Sequence, residues 1–264
     1  MTGRADDVAA YHRDGVVCLR GAFDPAWVER LRAAAERDLA EPGPHATNFA
    51  EGSTAGRFFG DMYMWKRDDD FRAAALDSPA PAIAAGLMRS ATADFFYDQL
   101  FVKEPGTAHP TPWHQDLPYY NVAGQQNVSM WCPVDPVPRE STLEFVRGSH
   151  LGPWFMPRSF LDGQAKWFPE GSLAELPDVQ PADVIGWALE PGDAVFFHML
   201  TLHASGGVPG PGRRRVLSVR FLGDDMVHAV RPWRTSPPFP GLAEELPDGA
   251  PLDHPLFPVL WEAA

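Results

Sequence analysis

The chain has 264 residues, 45% of them hydrophobic and 12% aromatic, enough for a sizeable core, and its 28 prolines and 23 glycines imply many turns between short elements. A formal net charge of -13, with Arg213-Arg214-Arg215 as the one dense basic run, argues against nucleic acid and anionic membranes as partners. Cys18 and Cys132 lie in apolar segments and read as buried free thiols. Asp6, Asp7, Arg13 and Asp14 interrupt any signal-peptide core, and no apolar run approaches the ~20 residues of a membrane span, so a cytoplasmic protein is expected.

A helix is expected over residues 6–13, then a strand through Val16-Val17-Cys18-Leu19. Asp24-Pro25 opens a second helix, with an acid at the N-cap and proline at the first helical position. Val28, Leu31, Ala34 and Ala35 give that helix an apolar stripe. Residues 43–69 are irregular and aromatic, including Phe58-Phe59-Gly60-Asp61-Met62-Tyr63-Met64-Trp65. They form either a lid lining a pocket or an apolar loop folded under the core. A helical stretch over 70–89 is broken near Pro79 and Pro81.

Beyond residue 93 come short runs rich in β-branched and aromatic residues, at 95–102, 128–134, 143–146, 194–197 and 216–222. Helices first and strands afterwards predict a mainly β protein with flanking helices, a sandwich or barrel in one domain over 1–264. Its parts would be a helical scaffold to about 92, a β core to about 230, and a Pro-rich tail wrapped on the outside.

Imidazole is the commonest transition-metal ligand, so the nine histidines are where chemistry is sought. His12, His45, His228 and His254 lie in polar or Pro-rich surroundings and read as surface residues. His109 and His150 sit in loop and turn sequences. In Trp113-His114-Gln115-Asp116, an extended backbone would put His114 and Asp116 on one face, able to hold a metal ion, a substrate proton or each other, with Gln115 pointing away. His198 and His203, five apart, would face opposite ways on a continuous strand, so one of them joins an interior site. His203 precedes the small-residue stretch Ala204-Ser205-Gly206-Gly207, which permits close approach.

His114, Asp116 and His203 together make two imidazoles and one carboxylate, the facial triad of non-haem iron(II) oxygenases. Arg214, Val216 and Ser218 alternate on one strand face, so the Arg214 guanidinium can point inward and grip a carboxylate with two hydrogen bonds. A metal triad and a carboxylate clamp together imply a chelating oxo-acid.

These segments, from Tyr11-His12-Arg13-Asp14-Gly15-Val16-Val17 through Trp113-His114-Gln115-Asp116, Gly148-Ser149-His150, Pro191-Gly192-Asp193 and His203-Ala204-Ser205-Gly206 to Arg214, resemble the phytanoyl-CoA dioxygenase family of iron(II)- and 2-oxoglutarate-dependent oxygenases in order and spacing. The resemblance implies a double-stranded β-helix, a cupin-like jelly roll, holding iron(II) and using 2-oxoglutarate and O2. His114, Asp116 and His203 match the metal ligands, Arg214 the arginine on the distal carboxylate of 2-oxoglutarate, and Ser205 a residue assisting it. Trp131, Gln99 and Lys103 match positions near the co-substrate, with core packing as the plain alternative for Trp131. Arg215 would replace Arg214 if the register slipped by one. Related halogenases lack the carboxylate ligand, so Asp116 favours hydroxylation or another C-H oxidation. Desaturation, epoxidation and ring closure stay open.

The segment Pro138-Arg139-Glu140-Ser141-Thr142-Leu143 looks one residue shorter than the turn the resemblance implies, which bears on hairpin geometry rather than activity. Phe58, Phe59, Tyr63, Trp65, Tyr119, Tyr120, Trp154 and Trp167 are candidates for an apolar wall around a small organic substrate. Two rivals share the barrel: a metal-dependent hydrolase, and a non-catalytic protein binding a metal or small acid. The sequence leaves the oligomeric state open.

Overall fold

The alternating runs beyond residue 93 form strands. The structure, a computed structural model describing residues 4–50, 56–157, 168–169, 171–208 and 210–263, places them in antiparallel sheets. In chain order the strands are β1 (Val16–Leu19), β2 (Thr47–Asn48), β3 (Phe58–Met62), β4 (Thr92–Lys103), β5 (Thr111–His114), β6 (Val122–Ala123) and β7 (Asn127–Pro133). They continue as β8 (Leu143–Val146), β9 (Val184–Ile185), β10 (Ala194–Phe197), β11 (His203–Ser205), β12 (Arg214–Leu222), β13 (Val227–His228) and β14 (Val259–Glu262). The helices are α1 (Ala5–Asp14), α2 (Pro25–Ala40), α3 (Asp69–Leu76), α4 (Ala80–Met88) and the short α5 (Leu242–Glu245).

The larger sheet has the order β1-β10-β7-β12-β4-β3-β2, with β14 also on β4, and the smaller is β5-β11-β8-β9; neither closes on itself. Phe197 and Trp131 from the larger sheet cluster with Leu143 and Phe145 from the smaller, joining the two inner faces. This is the mainly β arrangement with flanking helices that the sequence predicts.

Strand alternation decides what each face does. On β12, Leu217, Val219 and Phe221 join Leu100 and Val102 of β4 and Met130 and Cys132 of β7 in a core against α2 and α4. Each such buried aliphatic side chain contributes roughly 1.5–3 kcal/mol. The intervening residues of the same three strands face inward, and these carry the chemistry.

Local signals set the helices. Asp24 Oδ1 accepts the Trp27 N–H at 3.0 Å, capping α2 with Pro25 at its first position. Helix α1 ends at Gly15 (φ +80°), whose N–H donates to the Tyr11 carbonyl at 2.8 Å. A Cβ there would lie 2.5 Å from both His150 Nδ1 and Thr201 Oγ1, so glycine is required twice over.

The irregular segment 43–69 combines both of its expected readings. It contains β3, paired between β4 and the edge strand β2, in which Phe58, Gly60 and Met62 face a cavity while Phe59 packs into the helix-side core. Trp65 is not pocket wall: its ring packs 4.8 Å from that of Phe95. His228, expected at the surface, is buried because β13 pairs with β6 and its N–H reaches the Ala250 carbonyl at 2.8 Å. Cys18 and Cys132 are free thiols, and no helix among the described residues is long and apolar enough to cross a membrane.

Candidate functional site

Antiparallel pairing of β5 with β11 sets His114 directly opposite His203, with ring centroids 4.1 Å apart. Asp116 joins them by a different route from the shared strand face expected of His-x-Asp. Its backbone is helical (φ -77°, ψ -46°) and opens a 3-10 turn over Leu117–Tyr119. The N–H groups of Asp116 and Leu117 both donate to the Met199 carbonyl, at 2.8 and 3.0 Å, which fixes that turn beside β11. Gln115 points away as expected, its amide donating to the Leu200 carbonyl at 2.8 Å and its oxygen accepting from Phe155 N–H at 2.8 Å.

Asp116 Oδ1 stands 3.5 Å from His114 Nε2 and 3.8 Å from His203 Nε2, and all three side chains are buried. His114 Nδ1 lies 2.9 Å from the Pro112 carbonyl and His203 Nδ1 2.9 Å from that of Thr201. A carbonyl only accepts, so each Nδ1 carries a hydrogen and each Nε2 is the ring nitrogen turned towards Asp116. Burial, with His114 beside it, holds His203 down at about 3, so the ring is neutral near pH 7. Two imidazole nitrogens and a carboxylate oxygen therefore converge, a donor set suited to a divalent cation.

Burial alone would raise the Asp116 carboxyl. Arg220 and the two imidazoles outweigh it and hold Asp116 well below the usual carboxylate range. Ser129 Oγ donates to Asp116 Oδ2 at 2.9 Å, leaving Oδ1 for the imidazole side. His198, the other histidine of its pair, is excluded because the chain leaves the larger sheet after Phe197 and enters the smaller at His203. His198 instead lies 3.3 Å from the Asn127 amide.

The three donors line a cavity of about 320 Å³ that also takes in Gln99, Trp131, Ser205 and Arg214. Arg214 faces into it at 4% exposure, 5.5 Å over the Trp131 ring, and burial lowers its guanidinium only to about 10, so it stays charged. Arg215 faces outward to Asp135 and Glu36, at 2.6 Å each. The short turn before β8 is not remote from the site, because the Ser141 carbonyl accepts a hydrogen bond from Arg214 Nη1. Lys103 is fully buried behind Ser205 rather than lining the cavity. Its ammonium donates to the carbonyls of His109 (2.8 Å) and Gly206 (2.9 Å) and reaches Ser205 Oγ at 3.4 Å, and burial pushes it down to about 6.

Tyr119, Tyr120 and Phe58 are wall residues, whereas Phe59 and Trp154 lie elsewhere and Trp167 falls outside the described residues. Several lining residues have no counterpart among the sequence candidates, His45 and Arg220 among them. His45, read as a surface residue, is half-buried against Tyr63 at 5.1 Å and lines the mouth. Arg220 is 5% exposed, stacks 4.5 Å over the Tyr97 ring and holds Nε 3.7 Å from Asp116 Oδ2. The alternation that placed Arg214 inward continues through Ser218 to Arg220 and was the available signal.

A family model described as Phytanoyl-CoA dioxygenase (PhyH) matches residues 11–216. A probable phytanoyl-CoA dioxygenase of Caenorhabditis elegans is 30% identical over 126 residues, covering 45% of this chain and only 38% of that relative's length. Among solved structures, the epimerase SnoN in complex with Fe3+, alpha ketoglutarate and nogalamycin RO superposes with TM-score 0.77 at 25% identity, over 97% of this chain and 98% of that one. EctD from S. alaskensis, with 2-oxoglutarate and 5-hydroxyectoine, has TM-score 0.70 at 18% identity over 94% and 85% of the two chains, a likeness of fold.

Proposed function

The chain belongs to the phytanoyl-CoA dioxygenase family, and from that premise we propose that it is an iron(II)- and 2-oxoglutarate-dependent oxygenase acting on a C-H bond of a small organic substrate. The observation that carries this reading is a buried His-Asp-His donor set sharing one cavity with an inward arginine. Iron(II), 2-oxoglutarate and O2 together supply the oxidation of substrate C-H to C-OH as the co-substrate loses carbon dioxide and becomes succinate.

The protein's own residues hold and orient. His114, Asp116 and His203 bind the ion, and Ser129 fixes which carboxylate oxygen faces it. Arg214, stacked on Trp131, takes the distal carboxylate of 2-oxoglutarate by two charge-assisted hydrogen bonds. Ser205 adds a hydroxyl, and Gln99 lines the space between. Lys103 works from behind, holding Ser205 and the Gly206 carbonyl in place. Phe49, Phe58, Phe101 and Tyr119 give the cavity an aromatic wall that excludes water and fits a ring or other apolar substrate body.

Hydroxylation is the default outcome. The similar SnoN is an epimerase, so net epimerisation is a second outcome to assay on this scaffold. Residues 1–264 act as one unit on this reading, and the free thiols Cys18 and Cys132 fit a reducing, cytoplasmic setting. A hydrolase would have no use for the second anchor that Arg214 provides. The test is succinate formation from 2-oxoglutarate, which should require iron(II) and O2 together. Succinate equal with and without O2, or none with any of a broad substrate panel, overturns the proposal.

A further inference from the structure

The oxygenase reading gives Arg220 one task, keeping Asp116 ionised, and leaves much of its guanidinium unused. Arg220 is 5% exposed and lines the cavity, yet its Nε and Nη1 make no hydrogen bond, and the nearest acid, Asp116, stands 3.7 Å away and is committed to the ion and to Ser129. Asp98, next along β4, faces the other way and accepts the Trp65 N–H at 2.8 Å. Tyr120 is the one hydrogen-bonding partner of Arg220, and a buried guanidinium with two of its three nitrogens unpaired is costly unless a ligand completes it.

We propose that Arg220, with Tyr97 and Tyr120, forms a subsite that binds an anionic oxygen of the primary substrate, so that the substrate is an organic monoacid (a carboxylate, or an acidic phenol or enol) with an apolar body. The proposal rests on the oxygenase reading and names the substrate class for it.

Position separates this subsite from the co-substrate's anchor. Arg214 and Arg220 lie on the same face of β12, six residues and roughly 20 Å apart along the strand. The triad sits over the Arg220 end, because Asp116 is bonded to Ser129 and Ser129 pairs directly with Arg220 across the sheet. A molecule reaching from the ion towards Arg214 therefore leaves Arg220 on the opposite flank. Tyr97 pairs with Arg220 on the other side, and its hydroxyl lies 2.7 Å from that of Tyr120. One hydrogen bond between two hydroxyls leaves a proton free to donate.

Charge points the same way. Iron(II), Arg214 and Arg220 outweigh Asp116 and the 2-oxoglutarate dianion by one positive charge, and Lys103, held down at about 6, adds little near pH 7.5. A monoanion neutralises the filled cavity where a neutral substrate leaves a buried surplus.

The probes are phenylacetate and its neutral counterpart phenylacetamide, titrated anaerobically into protein holding iron(II) and saturating 2-oxoglutarate, with the weak visible band of the chelate as the readout. The acid should bind at least tenfold tighter than the amide. Arg220→Met should abolish that preference while shifting the 2-oxoglutarate requirement less than threefold, Arg220→Lys should keep part of it, and Tyr97→Phe should reduce it. Equal affinity for acid and amide overturns the proposal. So does a preference that survives Arg220→Met, or a tenfold loss of 2-oxoglutarate binding in that variant, which would assign Arg220 to the co-substrate. Thermal melting of the metal-free parent and Arg220→Met with the same two probes decides the subsite independently, so an absent visible band counts against the oxygenase reading alone.

Discussion

Removing the Arg214 side chain should weaken 2-oxoglutarate binding far more than iron binding. Arg214 is 4% exposed, carries its charge into the cavity, and commits one nitrogen to the Ser141 carbonyl while its Nε has no partner. Truncating one partner of a buried, hydrogen-bonded charge pair costs about 2–5 kcal/mol. Two charge-assisted hydrogen bonds in place of two water-exposed ones suggest the lower half of that range, about 3 kcal/mol. At about 1.4 kcal/mol per factor of ten, Arg214→Ala should raise the half-saturating 2-oxoglutarate concentration roughly 150-fold. Arg214 is no part of the donor set, so iron(II) affinity without co-substrate should change less than twofold. Arg215→Ala is the matched control: it breaks the pairs to Asp135 and Glu36 on the outer face and should leave the requirement within twofold. The assay is an anaerobic 2-oxoglutarate titration of the visible band on iron-loaded protein, beside a melting curve for each variant. An unchanged requirement in Arg214→Ala, or the large shift appearing in Arg215→Ala, refutes the placement.

Ser129→Ala should lower iron(II) affinity about tenfold by freeing Asp116 Oδ2, the usual scale for losing a group that orients a ligand, with the melting temperature nearly unchanged; competition with a chelator measures it. Gly15→Ala should destabilise the fold by about 2 kcal/mol or more, since it forces φ +80° on a side chain whose Cβ meets His150 and Thr201 at 2.5 Å, and denaturant unfolding reports it. Lys103 predicts a pH effect on the metal-free protein. Its folded value of about 6 lies below the usual lysine value, so between about pH 6 and 10 the unfolded chain binds the extra proton and stability rises with pH. The slope from this one group is at most about 1.4 kcal/mol per pH unit; it should be lost in Lys103→Met and so appear as the difference in slope between the parent and that variant.

The sequence reached the metal triad more surely than it reached the reason for it. His114 and Asp116 stood out by spacing, but they meet because a 3-10 turn hung from the Met199 carbonyl bends Asp116 back, a contact 83 residues away in sequence that no local pattern encodes. Arg214 followed from period-two alternation and held because the outer face of β12 is filled by Leu217, Val219 and Phe221, leaving one register that buries them. The same rule extended two more residues yields Arg220. What hid it was its partners: Ser129 and Tyr97 flank it only once β7, β12 and β4 are aligned. His228 is hidden for a related reason, since strands of two residues such as β6 and β13 carry no periodicity and are made by pairing alone, and His45 lies in the turn just before the equally short β2. The link between the Ser141 carbonyl and Arg214 likewise needs the two sheets packed together before it exists.

The central claim is that His114, Asp116 and His203 hold an ion to which 2-oxoglutarate binds from the Arg214 side. It is tested most directly by adding iron(II) and then 2-oxoglutarate to the protein without oxygen and recording the visible spectrum beside His114→Ala. The account predicts a weak visible band saturating at one iron and one 2-oxoglutarate per chain in the parent and missing from the variant. No band in the parent, or the same band in both proteins, would contradict it.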